Sequence, residues 1–173
     1  RTSLSATPRT TYRAGLGKAQ KKEKKKGKFH PVRILGIDFG DSHIGLAVSD
    51  KLLITAQGLG SYRSKSKEED KKYFIELVAK YEIGEIVLGL PLRMDGSPGT
   101  RVEKTKEFAG WLEKILKIPI IFWDERLTTR QALRILSQQK IKTKRKKSLE
   151  DQIAASIILS SYLESKRIKN HAT

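Results

Sequence analysis

The chain contains no cysteine, which excludes disulfides and thiolate metal ligation and points to a reducing compartment. Long hydrophobic runs are missing too. Stretches such as "IPIIFW" at 118–123 fall far short of the ~20 apolar residues of a membrane span, and no secretory pattern is present, so a soluble, cytoplasmic protein is expected. Acids are scarce where bases are dense. There are 36 Lys+Arg against 19 Asp+Glu for a net +17, of which residues 1–30 carry +9 and residues 140–147 carry +6, leaving about +2 for the rest. Two basic segments therefore flank a nearly neutral body. Clusters of this kind attract polyanions through phosphate contacts and counterion release, which makes nucleic acid the expected partner. Ligands for zinc are lacking, and no Ser-His-Asp arrangement is suggested.

At 173 residues one domain is the default. Residues 1–30 have no apolar period and one acid, Glu23, and cannot bury enough surface to fold, so they read as a basic disordered tail. Their Ser/Thr/Arg bias is also that of an organelle transit-peptide remnant, which gives a plastid or mitochondrial location as the alternative. The folded domain is expected over 31–168, with a short tail at 169–173.

Within it, "VRILGID" (32–38), "HIGLAVSD" (43–50) and "LLITAQGLGSY" (52–62) read as three strands joined as hairpins. A helix follows, opened by Ser66 and Glu69 in capping-box spacing and ended by Gly84. "EIVLGLP" (85–91) is a strand apolar on both faces, as in a parallel sheet. A glycine- and proline-containing loop at 89–99 leads to a helix over about 100–116, with Thr100 and Glu103 again in capping-box spacing. A fifth strand is expected at 118–125, a helix near 127–139, a basic loop at 140–147 and a closing helix. The order βββαβαβαα describes a mixed α/β sheet of five strands flanked by helices, the topology of the ribonuclease-H-like fold.

The acids fall where such a sheet places ligands, beyond the carboxyl ends of its strands. Asp38 ends the first strand, Asp124 and Glu125 end the fifth, and Asp151 stands in the first turn of the last helix, where Ala154 and Ala155 allow close approach to the sheet. Asp124 and Glu125 are adjacent in extended chain and face opposite sides, so one of them enters the site. Clustered carboxylates suit Mg²⁺ or Mn²⁺, hard ions that activate water against a phosphodiester. Phosphate contacts are expected from Gly40 and His43 in the first turn, from Arg93, Gly96 and Ser97 in the 89–99 loop, from Arg126, and from Lys144, Arg145, Lys146 and Lys147. Tyr12, Tyr62 and Trp123 can stack on bases, although aromatics at strand ends more often fill a core.

"GIDFGDSHIGLAVSD", "GLPLRMDGS", "DERLTT" and "DQIAASIILSSYL" together resemble, in order and spacing, the YqgF/RuvX family, labelled pre-16S rRNA nuclease and, earlier, Holliday junction resolvase. The resemblance runs from about residue 34 to residue 163. It implies a ribonuclease-H-like, divalent-metal nuclease that trims the 5′ end of the small-subunit rRNA precursor. By motif, Asp38, Glu125 (within "DER") and Asp151 are the metal-binding acids. Family members commonly carry Arg at the position of His43, and residues 1–30 lie outside the pattern. Because the fourth strand separates the first from the fifth in this fold, Asp38 and Glu125 start roughly 10 Å apart, so either one or two metals fit. Assembly as a monomer or weak dimer is expected.

Three rivals frame the test. "GIDFG" also resembles the phosphate hairpin of actin-like ATPases, but the chain is too short for their two lobes. A non-catalytic rRNA- or ribosome-binding factor explains the basic segments, yet gains nothing from acids where phosphates must sit. A structure-selective DNA junction resolvase uses the same acids.

Overall fold

The computed structural model describes residues 32–92, 99–124 and 143–171, with side chains from 148 to 170 in the last segment. The N-terminal tail with Tyr12, the 93–98 part of the glycine loop and the helix expected near 127–139 lie outside these residues. The chain forms β1 (Arg33–Phe39), β2 (His43–Ser49), β3 (Ala56–Arg63), α1 (Lys67–Tyr81), β4 (Ile83–Leu90), α2 (Thr100–Leu116), β5 (Ile120–Asp124) and α3 (Thr143–His171). The strands make one sheet in the order β3-β2-β1-β4-β5. β2 runs antiparallel to both neighbours, while β1, β4 and β5 are parallel. This is the mixed α/β sheet, ribonuclease-H-like in its order, that the sequence leads one to expect. Among the described residues no helix is long and apolar enough to cross a membrane.

Strand alternation divides the core into two layers. Leu35, Ile37, Ile44, Leu46, Ile86 and Leu88 face Phe74 and Leu77 of α1 and Leu112 of α2. Ile34, Ala47 and Val87 face Ala155, Ile158, Leu159 and Leu163 of α3 on the other side. Three glycines seat α3. A side chain at Gly45 would drive its Cβ into the Asp151 carbonyl, one at Gly58 would strike Gln152, and one at Gly36 would lie 2.7 Å from Leu159 Cβ. Farther along α3, Glu85 of β4 accepts from Tyr162 Oη and Lys166 Nζ, both at 2.7 Å.

Between β3 and α1, the buried Asp70 carboxylate accepts from Ser64 Oγ (2.6 Å), Tyr62 Oη (2.7 Å) and the Lys65 N–H (3.0 Å). Burial alone would push its pKa up, but the three donors outweigh that and hold it below the ordinary value. A lowered carboxylate stabilises the fold above its unfolded pKa, and that contribution disappears as pH falls through the folded value. Asp70→Ala is expected to cost about 2 kcal/mol at pH 7. The gap to wild type, followed by urea denaturation, should shrink below about pH 4; a gap independent of pH would show that the carboxylate charge is not what matters.

Several boundaries differ from expectation. β3 begins at Ala56 rather than 52, because Asp50 Oδ1 accepts from the Ile54 and Thr55 N–H groups (2.7 and 2.8 Å) and folds 50–55 into a turn. α1 is capped by Ser66 as expected, but its left-handed C-cap is Glu82 (φ 53°), not Gly84. Gly84 is already in β4, where a Cβ would press on Val32 at 2.6 Å. The N-cap of α2 is Gly99, with no side-chain bond, so Thr100 and Glu103 form no capping box. α3 begins at Thr143, so 143–147 is helix rather than loop, and it runs through 169–171. Lys and Arg are good helix formers and carry the helix upstream. Asp151 consequently lies well inside α3, with no acid in the first turn, and neither a Ser148 cap nor the helix dipole explains it.

Candidate active site

Register builds the site. Asp38 of β1 pairs with Gly45 of β2, and Gly45 with Ser61 of β3, so the three form one row across the sheet. The alternation that sends Ile37 toward α1 and α2 turns Asp38 to the α3 face. Above Gly45 sits the Asp151 backbone, and Asp151 Oδ2 accepts from Ser61 Oγ at 3.0 Å. Partial burial, then the nearby Asp151 charge, push the Asp38 carboxyl up to about 6. Arg101, in the first turn of α2, opposes that rise. It shares a small cleft with Phe39, Asp41 and Lys104 beside the β1–β2 turn.

Of the fifth-strand acids, Asp124 is among the described residues, at the end of β5. Trp123 packs on the α3 side, edge-on to Tyr162 at 5.3 Å, with its Nε1 donating to Ser161 at 3.3 Å. Asp124 therefore falls on the α1/α2 side, away from Asp38. Glu125 and Arg126 lie outside the described residues, as do Arg93, Gly96 and Ser97 and the side chains of 144–147. Gly40 is a turn residue. Its N–H donates to the His43 carbonyl at 3.0 Å, which removes it as a phosphate donor, and a Cβ there would meet that carbonyl at 2.7 Å. His43 lies two residues up β2 from Gly45 on the same face, and its Nδ1 is buried without a partner. Tyr62 stacks on Tyr73 at 3.8 Å, so Tyr62 and Trp123 are core aromatics.

Two functional candidates, Ser61 and Arg101, escape sequence reasoning. A serine in an edge strand has no local signal, and Arg101 reads as an ordinary helix-surface cation. A cleft of about 430 Å³ lined by Phe39, Lys67, Lys104, Phe108 and Trp111 opens on the other face of the sheet, where Lys104 bonds Asp41 at 2.9 Å and tethers the β1–β2 turn to α2.

Among the described residues no group of three or more His, Asp or Glu is placed to hold a metal. Asp38 and Asp151 are two. Hard oxygen donors brought together in a partly desolvated place, one of them holding its proton to about 6, fit a divalent cation that would supply the missing positive charge.

A mixed five-stranded sheet in the order β3-β2-β1-β4-β5, with its second strand reversed and helices on both faces, is of the ribonuclease-H-like class. The chain belongs to the family described as "RuvX: Holliday junction resolvase", which matches residues 32–165. A Halothermothrix orenii protein named "Putative pre-16S rRNA nuclease" is 48% identical over 132 residues, covering 76% of this chain and 94% of that one. A Caldanaerobacter subterraneus protein of the same name is 47% identical over 138 residues, 79% of this chain and 99% of that one. Among solved structures, Thermus thermophilus RuvC is similar over 79% of this chain and 96% of its own, with 11% identity and a TM-score of 0.49. The fowlpox virus resolvase bound to Holliday junction DNA has 16% identity and a TM-score of 0.47 over 78% of this chain and 98% of its own.

Proposed function

We propose that the protein is a divalent-metal nuclease that trims the 5′ end of precursor small-subunit rRNA. The observation that carries this reading is the Asp38–Asp151 pair, two acids held together on one face at a strand's carboxyl end at the expense of a raised pKa. Asp38, Asp151 and Glu125 would hold Mg²⁺ or Mn²⁺. The position of Asp124 on the opposite face favours Glu125 as the third acid. When bound, the ion supplies Lewis acidity to water and to the phosphodiester. Contacts to the phosphate backbone are assigned to Arg101 and His43 near the acids, and also to residues 89–99 and 144–147. The names of the relatives support precursor rRNA, and their bacterial origin supports the cytoplasm over an organelle. The small-subunit precursor particle is the proposed partner, with the protein acting as a monomer or weak dimer. The family description supports one other reading, cleavage of DNA four-way junctions.

The test offers 5′-extended rRNA precursor, a four-way DNA junction and an unrelated structured RNA with Mg²⁺ or Mn²⁺. Cleavage of the precursor alone is the expected result. Cutting of the junction alone selects the resolvase, and binding of RNA without any cutting selects a ribosome-associated binder. Neutralising Lys144, Arg145, Lys146 and Lys147 together should weaken RNA binding and reduce the slope of log affinity against log salt by roughly 3. An unchanged slope would remove that segment from the interface.

A further inference from the structure

Asp38, Gly45 and Ser61 lie in one row across β1, β2 and β3. Ser61 and Asp151 are 90 residues apart and bonded at 3.0 Å, in a partly buried setting. Asp151 has little freedom in its backbone, since its carbonyl rests on Gly45. Its carboxylate is what remains to be oriented, and Ser61 takes Oδ2 from the side of the row opposite Asp38. Oδ1 is thereby left for the Asp38 side, where the proposed cation would sit. Gly45, between them, lets the Asp151 backbone rest directly on the row.

We infer that Ser61 is the positioning residue of the metal site. Its hydroxyl touches neither substrate nor ion, and it acts by fixing which Asp151 oxygen is presented. Outer-shell hydrogen bonds of this kind typically change metal affinity by 10- to 100-fold. The neighbouring Tyr62 hydroxyl does for Asp70 on the other face what Ser61 does for Asp151, so consecutive residues of the edge strand orient a carboxylate on each side of the sheet. Tyr62 does so in the core, where the bond closes a loop, whereas Ser61 does so at the acid pair.

This inference rests on the metal-site reading, and the experiment separates the two. Mn²⁺ binding is measured by electron paramagnetic resonance on wild type, Asp38→Asn, Ser61→Ala and Ser61→Thr, alongside metal-free RNA affinity and melting temperature. Wild type binds Mn²⁺ and Asp38→Asn does not. Ser61→Ala weakens Mn²⁺ binding about 10-fold and raises the Mn²⁺ needed for half-maximal cleavage by the same factor. Its metal-free RNA affinity stays unchanged, and Ser61→Thr, which keeps the hydroxyl, restores Mn²⁺ binding. Equal Mn²⁺ affinity in wild type and Ser61→Ala would overturn the inference and leave the metal site standing. A Ser61→Thr protein as weak as Ser61→Ala, at an unchanged melting temperature, would overturn it as well. Failure of wild type to bind Mn²⁺ would overturn the site reading and this inference with it.

Discussion

Asp38→Asn is expected to cut no substrate and yet to be more stable than wild type at pH 7.5. The carboxyl of Asp38 is held at about 6 against an ordinary 3.8, so the fold prefers its protonated form. Below about pH 4 the acid is protonated in folded and unfolded chains alike, and wild type suffers no penalty. Between about 4 and 6 the unfolded chain releases the proton before the folded one does, and stability falls with rising pH. Above 6 the full penalty applies, about 3 kcal/mol for a shift of about two units. Asparagine has no charge to desolvate and keeps nearly the same shape. Urea denaturation at several pH values should therefore show the variant ahead by up to about 3 kcal/mol at pH 7.5 and level with wild type near pH 4. Adding Mn²⁺ should raise the wild-type midpoint and leave that of the variant alone. If the variant is less stable at every pH, burial of Asp38 is not costly, and retained cleavage would sink the catalytic assignment.

Gly45→Val should have the opposite effect on stability and the same effect on cleavage. Valine is among the residues best suited to a strand, so secondary-structure preference predicts no loss. The loss comes from above, because any Cβ at this position collides with the Asp151 carbonyl. α3 must lift, taking Asp151 away from Asp38 and Ser61 and loosening Leu159 and Ile158 from the sheet. Overpacking of this kind costs about 3 kcal/mol, and a displacement of about 1 Å at a catalytic group lowers activity roughly 100-fold. Gly110→Ala is the control, since nothing lies within 4 Å of a Cβ there and alanine favours a helix by about 1 kcal/mol. Should Gly45→Val fold and cleave as Gly110→Ala does, the glycine seat has no role in placing Asp151.

Much of this was legible in the residues. Short runs of branched residues between turn residues in 32–62 and the apolar run from 85 to 90 marked the strands, and Asp38 and Asp151, two of the acids singled out, do come near each other. What stayed hidden depends on register and on tertiary contact. Ser61 faces Gly45 only because the β2–β3 pairing shifts by one residue between Leu46 and Ala47, and nothing local encodes that shift. Ala155 packs against the sheet as its size suggests, while the room made from below by Gly36, Gly45 and Gly58 had no local signal. The left-handed Glu82 and the upstream start of α3 likewise follow from packing and helix propensity, while a capping motif at Ser148 pointed to a later beginning.

The two acids of the pair stand 113 positions apart, one on the first strand and the other on the last helix. A ribosome synthesising this chain finishes β1, β2 and β3 long before α3 exists, and until then the glycine trough is open and Asp38 has no companion. The acid pair is thus complete only once α3 has been made, and a fragment that stops before residue 151 lacks it. For an enzyme whose proposed substrate belongs to the ribosome itself, that order of assembly would leave the half-made chain without its acid pair while it is still beside the machine making it.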